Sequence, residues 1–96
     1  MAKFEDHCIE SEQLFGARWE ELHRWLDELA GRAPWGMRHR KFRHHLAGIE
    51  EAVQLFGEAA RAPARQHCVT DLKGEGWKDS DHFPVDVVDY VKMGLF

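Results

Sequence analysis

Apolar residues recur every three or four positions along two stretches, and no other feature limits the fold as strongly. Trp19, Leu22, Leu26 and Leu29 follow this spacing through ARWEELHRWLDELA, and Phe42, Leu46, Ile49, Val53 and Phe56 repeat it at 4-3-4-3. A helix turns by about 100° per residue, so each series forms one buried face. The sequence therefore predicts an all-α fold, a compact bundle of four or five helices forming one domain over residues 1–96. Glycines and prolines set the expected boundaries. A first helix covers 4–15 and stops at Gly16, and a second covers 17–30 before Gly31 and Pro34. The third and longest runs from Met37 to Phe56, with Gly57 as its stop. Within it, Gly48 weakens the helix by about 1 kcal/mol relative to Ala and marks close approach of another backbone. A fourth, short helix (ARQHCVTDL) follows Pro63. In the last, VDVVDYVKM, Pro84 takes the first helical position and Gly94 closes the end.

Size and composition exclude several classes of protein. A chain of 96 residues leaves no room for a doubly wound nucleotide-binding sheet. No uncharged apolar run reaches the roughly 18–20 residues of a membrane span. The acidic start, MAKFEDHCIESEQ, is unlike a signal peptide, and Cys8 and Cys68 form no C-x-x-C, so a reducing, cytoplasmic setting is expected. His7-Cys8 and His67-Cys68 repeat a dipeptide, which by itself defines no zinc site. Net charge is −4, yet RHRKFRHH at 38–45 carries +4 and leaves −8 on the remaining 88 residues. A basic island in an acidic chain suits an anion or an internal ion pair, and the acidic remainder argues against nucleic acid as a partner.

The polar residues suggest where chemistry would lie. Seven histidines far exceed ordinary usage. His23 and Asp27 are four apart, as are His67 and Asp71, so each pair lies on one side of its helix beside the apolar stripe. On a continuous third helix Arg38, His39 and His45 flank the core, while Arg40, Arg43 and His44 face outward. Imidazole and carboxylate together suit a first-row divalent metal such as zinc or manganese, and bundles project such ligands inward. His23, Asp27, His67 and Asp71 are the expected ligands, with His39 or His45 completing the set. A metal-bound water would supply hydrolysis, and Arg38, Arg40, Arg43 and His44 would hold an anionic, phosphorylated substrate. The competing reading is a non-catalytic interaction module. There the same groups form a hydrogen-bond and salt-bridge network, and Arg40, Lys41, Arg43 and His44 meet an acidic partner or a second copy of the chain. The tryptophans at 19, 25, 35 and 77 read as core or its lid, with Trp25 at a partly exposed contact. Cys68 reads as inert, because neighbouring helical residues diverge too far for His67 to serve it as a base.

In order, His23-Arg-Trp-Leu-Asp27, Arg38-His39-Arg40, Arg43-His44-His45 with Gly48-Ile49, Leu55-Phe56-Gly57 and Gln66-His67 with Asp71-Leu72 resemble a family of small bacterial and phage proteins classed as a domain of unknown function. The resemblance spans roughly residues 7–90, and R-H-R-x-x-R-H-H is its most specific part. EAARAPA is shorter than the Gly-containing turn usual there. The resemblance implies a bacterial or phage origin and a polar constellation at these positions, and it carries no activity or cofactor.

Overall fold

The computed structural model describes residues 4–28 and 40–95. These residues form five α-helices and no strand, so the chain is all-α: α1 (Phe4–Phe15), α2 (Glu20–Leu26), α3 (Leu46–Phe56), α4 (Arg61–Gly74) and α5 (Val87–Lys92). A 3-10 turn (Glu58–Ala60) leads into α4. The expected helical residues at 29–30 and 37–39, among them Leu29, Arg38 and His39, lie outside the described residues, as does Trp35. Helix α4 is central and packs against α1, α2 and α3.

Two apolar clusters flank α4. Leu22, Leu26, Ile49, Ala52, Ala60, Ala64 and Cys68 form one, covered by Trp19, Trp25 and Phe56. Leu72, Trp77 and Tyr90 form the other, and Phe83 packs against both. Four of the five residues in the expected third-helix stripe sit at the margin of this interior or are exposed, the half-buried Phe42 among them. Ile49 is buried, Phe56 and Val53 are half-buried, and Leu46 is exposed. Trp77 is buried, as a core tryptophan should be, and its indole N–H donates to the His82 carbonyl.

The third helix is shorter than its periodicity predicts. Residues 40–42 make a 3-10 turn, 43–45 bend, and α3 begins only at Leu46. His45 is extended at φ −157° and ψ 176°, and its Nδ1 accepts a hydrogen bond from the Gly48 N–H at 3.0 Å. Its Nε2 donates to the Lys41 carbonyl. The next free N–H groups of α3, from Leu46 and Ala47, donate to the carbonyls of Pro84 and Val85. The first turn of α3 is thus satisfied by a side chain and a distant loop. This use of its carbonyl keeps Pro84 outside α5, which opens at Asp86 with a side-chain cap to the Asp89 N–H. Pro63, expected to precede the fourth helix, lies in its first turn, where a missing N–H costs no helical bond.

Gly48 allows the bend to fold back on α3. A Cβ built there would lie 2.0 Å from the Arg43 carbonyl oxygen. Gly48→Ala is expected to lower stability by about 1–3 kcal/mol or more through this overlap. At Gly74 an added methyl meets nothing within 4 Å, so Gly74→Ala is expected to be neutral or to stabilise by about 0.5 kcal/mol. Urea unfolding midpoints of the two variants check both signs.

Candidate metal centre

Besides the apolar clusters, the helices bury a polar knot. His7 from α1, His23 from α2, His67 and Asp71 from α4, and His44 from the bend are each at most 3% exposed. Asp27, the C-cap of α2, joins them with a side chain 29% exposed. Its distances are short throughout. His7 Nε2 stands 3.2 Å from Asp71 Oδ1, and His44 Nε2 stands 3.0 Å from Oδ2. His67 Nε2 lies 3.3 Å from Asp71 Oδ2 and 3.4 Å from Asp27. His44 Nε2 also reaches Asp27 Oδ1 at 3.5 Å. The rings of His7 and His67 stack with centroids 3.7 Å apart. One ligand-type atom from each of His7, Asp27, His67 and Asp71 lies within 4.8 Å of all the others, and a second such group joins His7, His23 and His67.

Behind His67, its Nδ1 lies 2.8 Å from His23 Nδ1, and His23 Nε2 lies 2.7 Å from Ser11 Oγ. On the far side of Asp71, Arg40 approaches Oδ1 at 3.6 Å and donates to Glu75 at 2.8 Å. The Tyr90 hydroxyl donates to the same Glu75 oxygen.

Several buried atoms have contacts but no aligned hydrogen bond: both ring nitrogens of His7, Asp71 Oδ1 and Arg40 Nε. His7 Nε2 and Asp71 Oδ1 are therefore neighbours whose lone pairs and protons do not point at one another. Each such group costs about 1–3 kcal/mol if nothing else satisfies it, so this arrangement calls for a shared partner between them.

The electrostatics follow from burial and proximity. Burial, reinforced by the neighbouring His67 and His7, pulls His23 down to about 3. Burial likewise lowers His44 to about 4, against the opposing pull of its hydrogen bond to Asp71. For His67, burial also acts downward, but hydrogen bonds to Asp27 and Asp71 outweigh it and leave the pKa above 6.5. Burial would raise Asp71, yet contact with the imidazoles of His44, His67 and His7 holds it far below 3.8. Burial raises the Cys8 and Cys68 thiols, which suits inert core residues.

Four of the six expected metal ligands converge: His23, Asp27, His67 and Asp71. His39 lies outside the described residues, and His45 goes elsewhere because both its ring nitrogens serve local backbone. The bend before α3 reverses the expected roles of the His44-His45 pair, so His44 turns inward. Arg40 is 8% exposed and paired with Asp71 and Glu75, not facing outward as a continuous helix requires. Arg43 stacks on Trp25, with its guanidinium carbon 4.1 Å from the ring centroid, and donates to the Trp25 carbonyl and to Glu28. Arg38 lies outside the described residues. His7 and Ser11 were not among the expected site residues. The repeated His-Cys dipeptide was their signal: in α1 and α4 alike the Cys enters the interior and the preceding His turns into the knot. Ser11 sits four residues after His7, as Asp71 does after His67, so three helices carry a polar partner one turn beyond a histidine.

Fold and site together define a small all-α protein built round a buried histidine–carboxylate knot. Residues 2–93 match the family described as Domain of unknown function (DUF6915), and the chain belongs to that family. No curated protein and no solved structure matches it. Among the described residues no helix is long and apolar enough to cross a membrane.

Asp71→Asn is expected to cost the metal-free protein about 3–5 kcal/mol, because Arg40 and the imidazoles lose a buried counter-charge. Asp27→Asn, at a partly exposed position, should cost less than about 1 kcal/mol. Because the folded pKa values of His44 and His23 lie below 6.5, their contribution is complete above that pH. It is lost as the pH falls through about 4 for His44 and about 3 for His23. Asp71 acts in the same direction below 3.8. Chemical denaturation of metal-free protein between pH 7 and pH 4 checks this acid-side loss.

Proposed function

We propose that the chain binds one first-row divalent metal ion, zinc or manganese, through His7, Asp27, His67 and Asp71, with His44 beside them. The observation that carries this reading is the spacing of the knot. One ligand atom from each of His7, Asp27, His67 and Asp71 lies within 4.8 Å of the others, three pairs (His7–Asp71, His67–Asp71 and His67–Asp27) stand at 3.2–3.4 Å, and His7 Nε2 and Asp71 Oδ1 make no aligned hydrogen bond. Metal bonds of about 2.0–2.1 Å at tetrahedral angles put neighbouring ligand atoms about 3.3–3.4 Å apart. Charge supports the same conclusion. With His67 neutral, as a metal-ligating imidazole must be, Asp27, Asp71 and Glu75 exceed Arg40 by two negative charges, which a divalent cation would balance.

Asp27 is the one partly exposed member of this set, so an outside ligand reaches the ion from its side. A water added on that side as a fifth ligand would have its pKa lowered by the metal, which would support hydrolysis of a phosphorylated or otherwise anionic small substrate. Arg40 and Arg43 are already committed to Asp71, Glu75, Glu28 and the Trp25 carbonyl. An anion would therefore be held mainly by the ion itself. Two buried free thiols suit a reducing, cytoplasmic setting. The rival reading, an interaction module with a structural network, draws on the aligned Arg40–Glu75 and Ser11–His23 contacts, which need no ion.

Purified protein is expected to take up one zinc or manganese ion per chain. Its Tm should rise, by the equivalent of about 2.7 kcal/mol when free metal is 100-fold above Kd. Asp27→Asn should fold and lose most of that gain. Elemental analysis without metal, together with a Tm indifferent to both ions, would overturn the reading and favour the structural network.

A further inference from the structure

Resting on the metal reading, we infer that His23 and Ser11 are positioning residues that hold His67 as an Nε2 ligand, rather than ligands themselves. The three side chains form a buried file from α4 through α2 to α1: His67 Nδ1 to His23 Nδ1 at 2.8 Å, then His23 Nε2 to Ser11 Oγ at 2.7 Å. All three residues are at most 2% exposed, so water does not compete along it.

The direction of this file is fixed once an ion sits among the carboxylates. His67 Nε2 is the nitrogen that faces Asp27 and Asp71. A neutral imidazole that coordinates through Nε2 carries its proton on Nδ1. Among the described residues that proton faces His23 Nδ1 at hydrogen-bond distance, so His23 accepts there. A doubly protonated His23 would set two N–H groups head to head at 2.8 Å. His23 is therefore neutral with its proton on Nε2, which donates to the Ser11 hydroxyl oxygen. His23 Nδ1 spends its lone pair on His67 and has none for a metal. Outer hydrogen bonds of this kind fix the ring of a ligating histidine and typically change metal affinity 10–100-fold.

The test combines zinc titration with long-range proton–nitrogen NMR of histidine side chains in the full chain. In zinc-loaded protein, His67 should show metal on Nε2 and a proton on Nδ1, and His23 a proton on Nε2. His23→Phe, which keeps a ring in the stack, should weaken zinc binding 10–100-fold. His23→Asn should recover part of the loss, because its amide oxygen falls near the place of Nδ1. Ser11→Ala should weaken binding less and leave the ligand set unchanged, and it carries the test if His23→Phe fails to fold. Undiminished affinity in His23→Phe, or in Ser11→Ala with His23 protonated on Nδ1, would overturn the inference. If wild-type protein takes up neither zinc nor manganese, the metal reading fails separately. The file is then judged by the His23 tautomer in metal-free protein: a proton on Nε2 supports it and a proton on Nδ1 overturns it.

Discussion

The structure turns on one buried carboxylate. Asp71 is 3% exposed in the last turn of α4, and groups from two other parts of the chain converge on it: His7 from α1, and His44 and Arg40 from the segment before α3. A carboxylate in such a place is tolerated only where donors or cations surround it. That requirement ties the helices together as firmly as the apolar contacts do. Leu22, Leu26 and Ile49 belong to one apolar cluster and Leu72, Trp77 and Tyr90 to another, with Phe83 packed against both.

Such a knot is a costly way to stabilise a chain of 96 residues. A hydrophobic replacement of similar volume is often neutral or stabilising, and this core leaves ring and carboxylate atoms without aligned partners. Costs of that kind concentrate where function requires them. The two sides of the knot differ in a way that fits this view. The Ser11–His23 side is closed and hydrogen-bonded, whereas Asp27 opens towards solvent.

Much of this was legible in the linear pattern. The helical class followed from the three-and-four spacing, and the i, i+4 pairing put His23 with Asp27 and His67 with Asp71 on the inner sides of their helices. The Gly48 reading also held, since the Arg43 carbonyl occupies the space a Cβ would need. Periodicity failed at the start of α3. Residues 40–46 are compatible with a helix by spacing, but the His45 cap and the Pro84 and Val85 carbonyls stop it there. That stop reverses which histidine faces inward and turns Arg40 from a surface cation into a buried partner of Asp71. His7 was hidden for a different reason, because α1 has no apolar stripe regular enough to show which of its sides is buried.

Sequence by itself determined the helical class, the pairing of imidazole with carboxylate one turn apart, and the charge imbalance between a basic island and an acidic remainder. These are local properties, set by the helical repeat and by residue chemistry within a few positions. Tertiary structure decided which of those groups meet. Convergence on Asp71 joins residues 7, 44 and 71, and the file behind it joins residues 11, 23 and 67. The angles at which helices cross, and the break that re-aims His44, depend on packing between segments far apart in the chain.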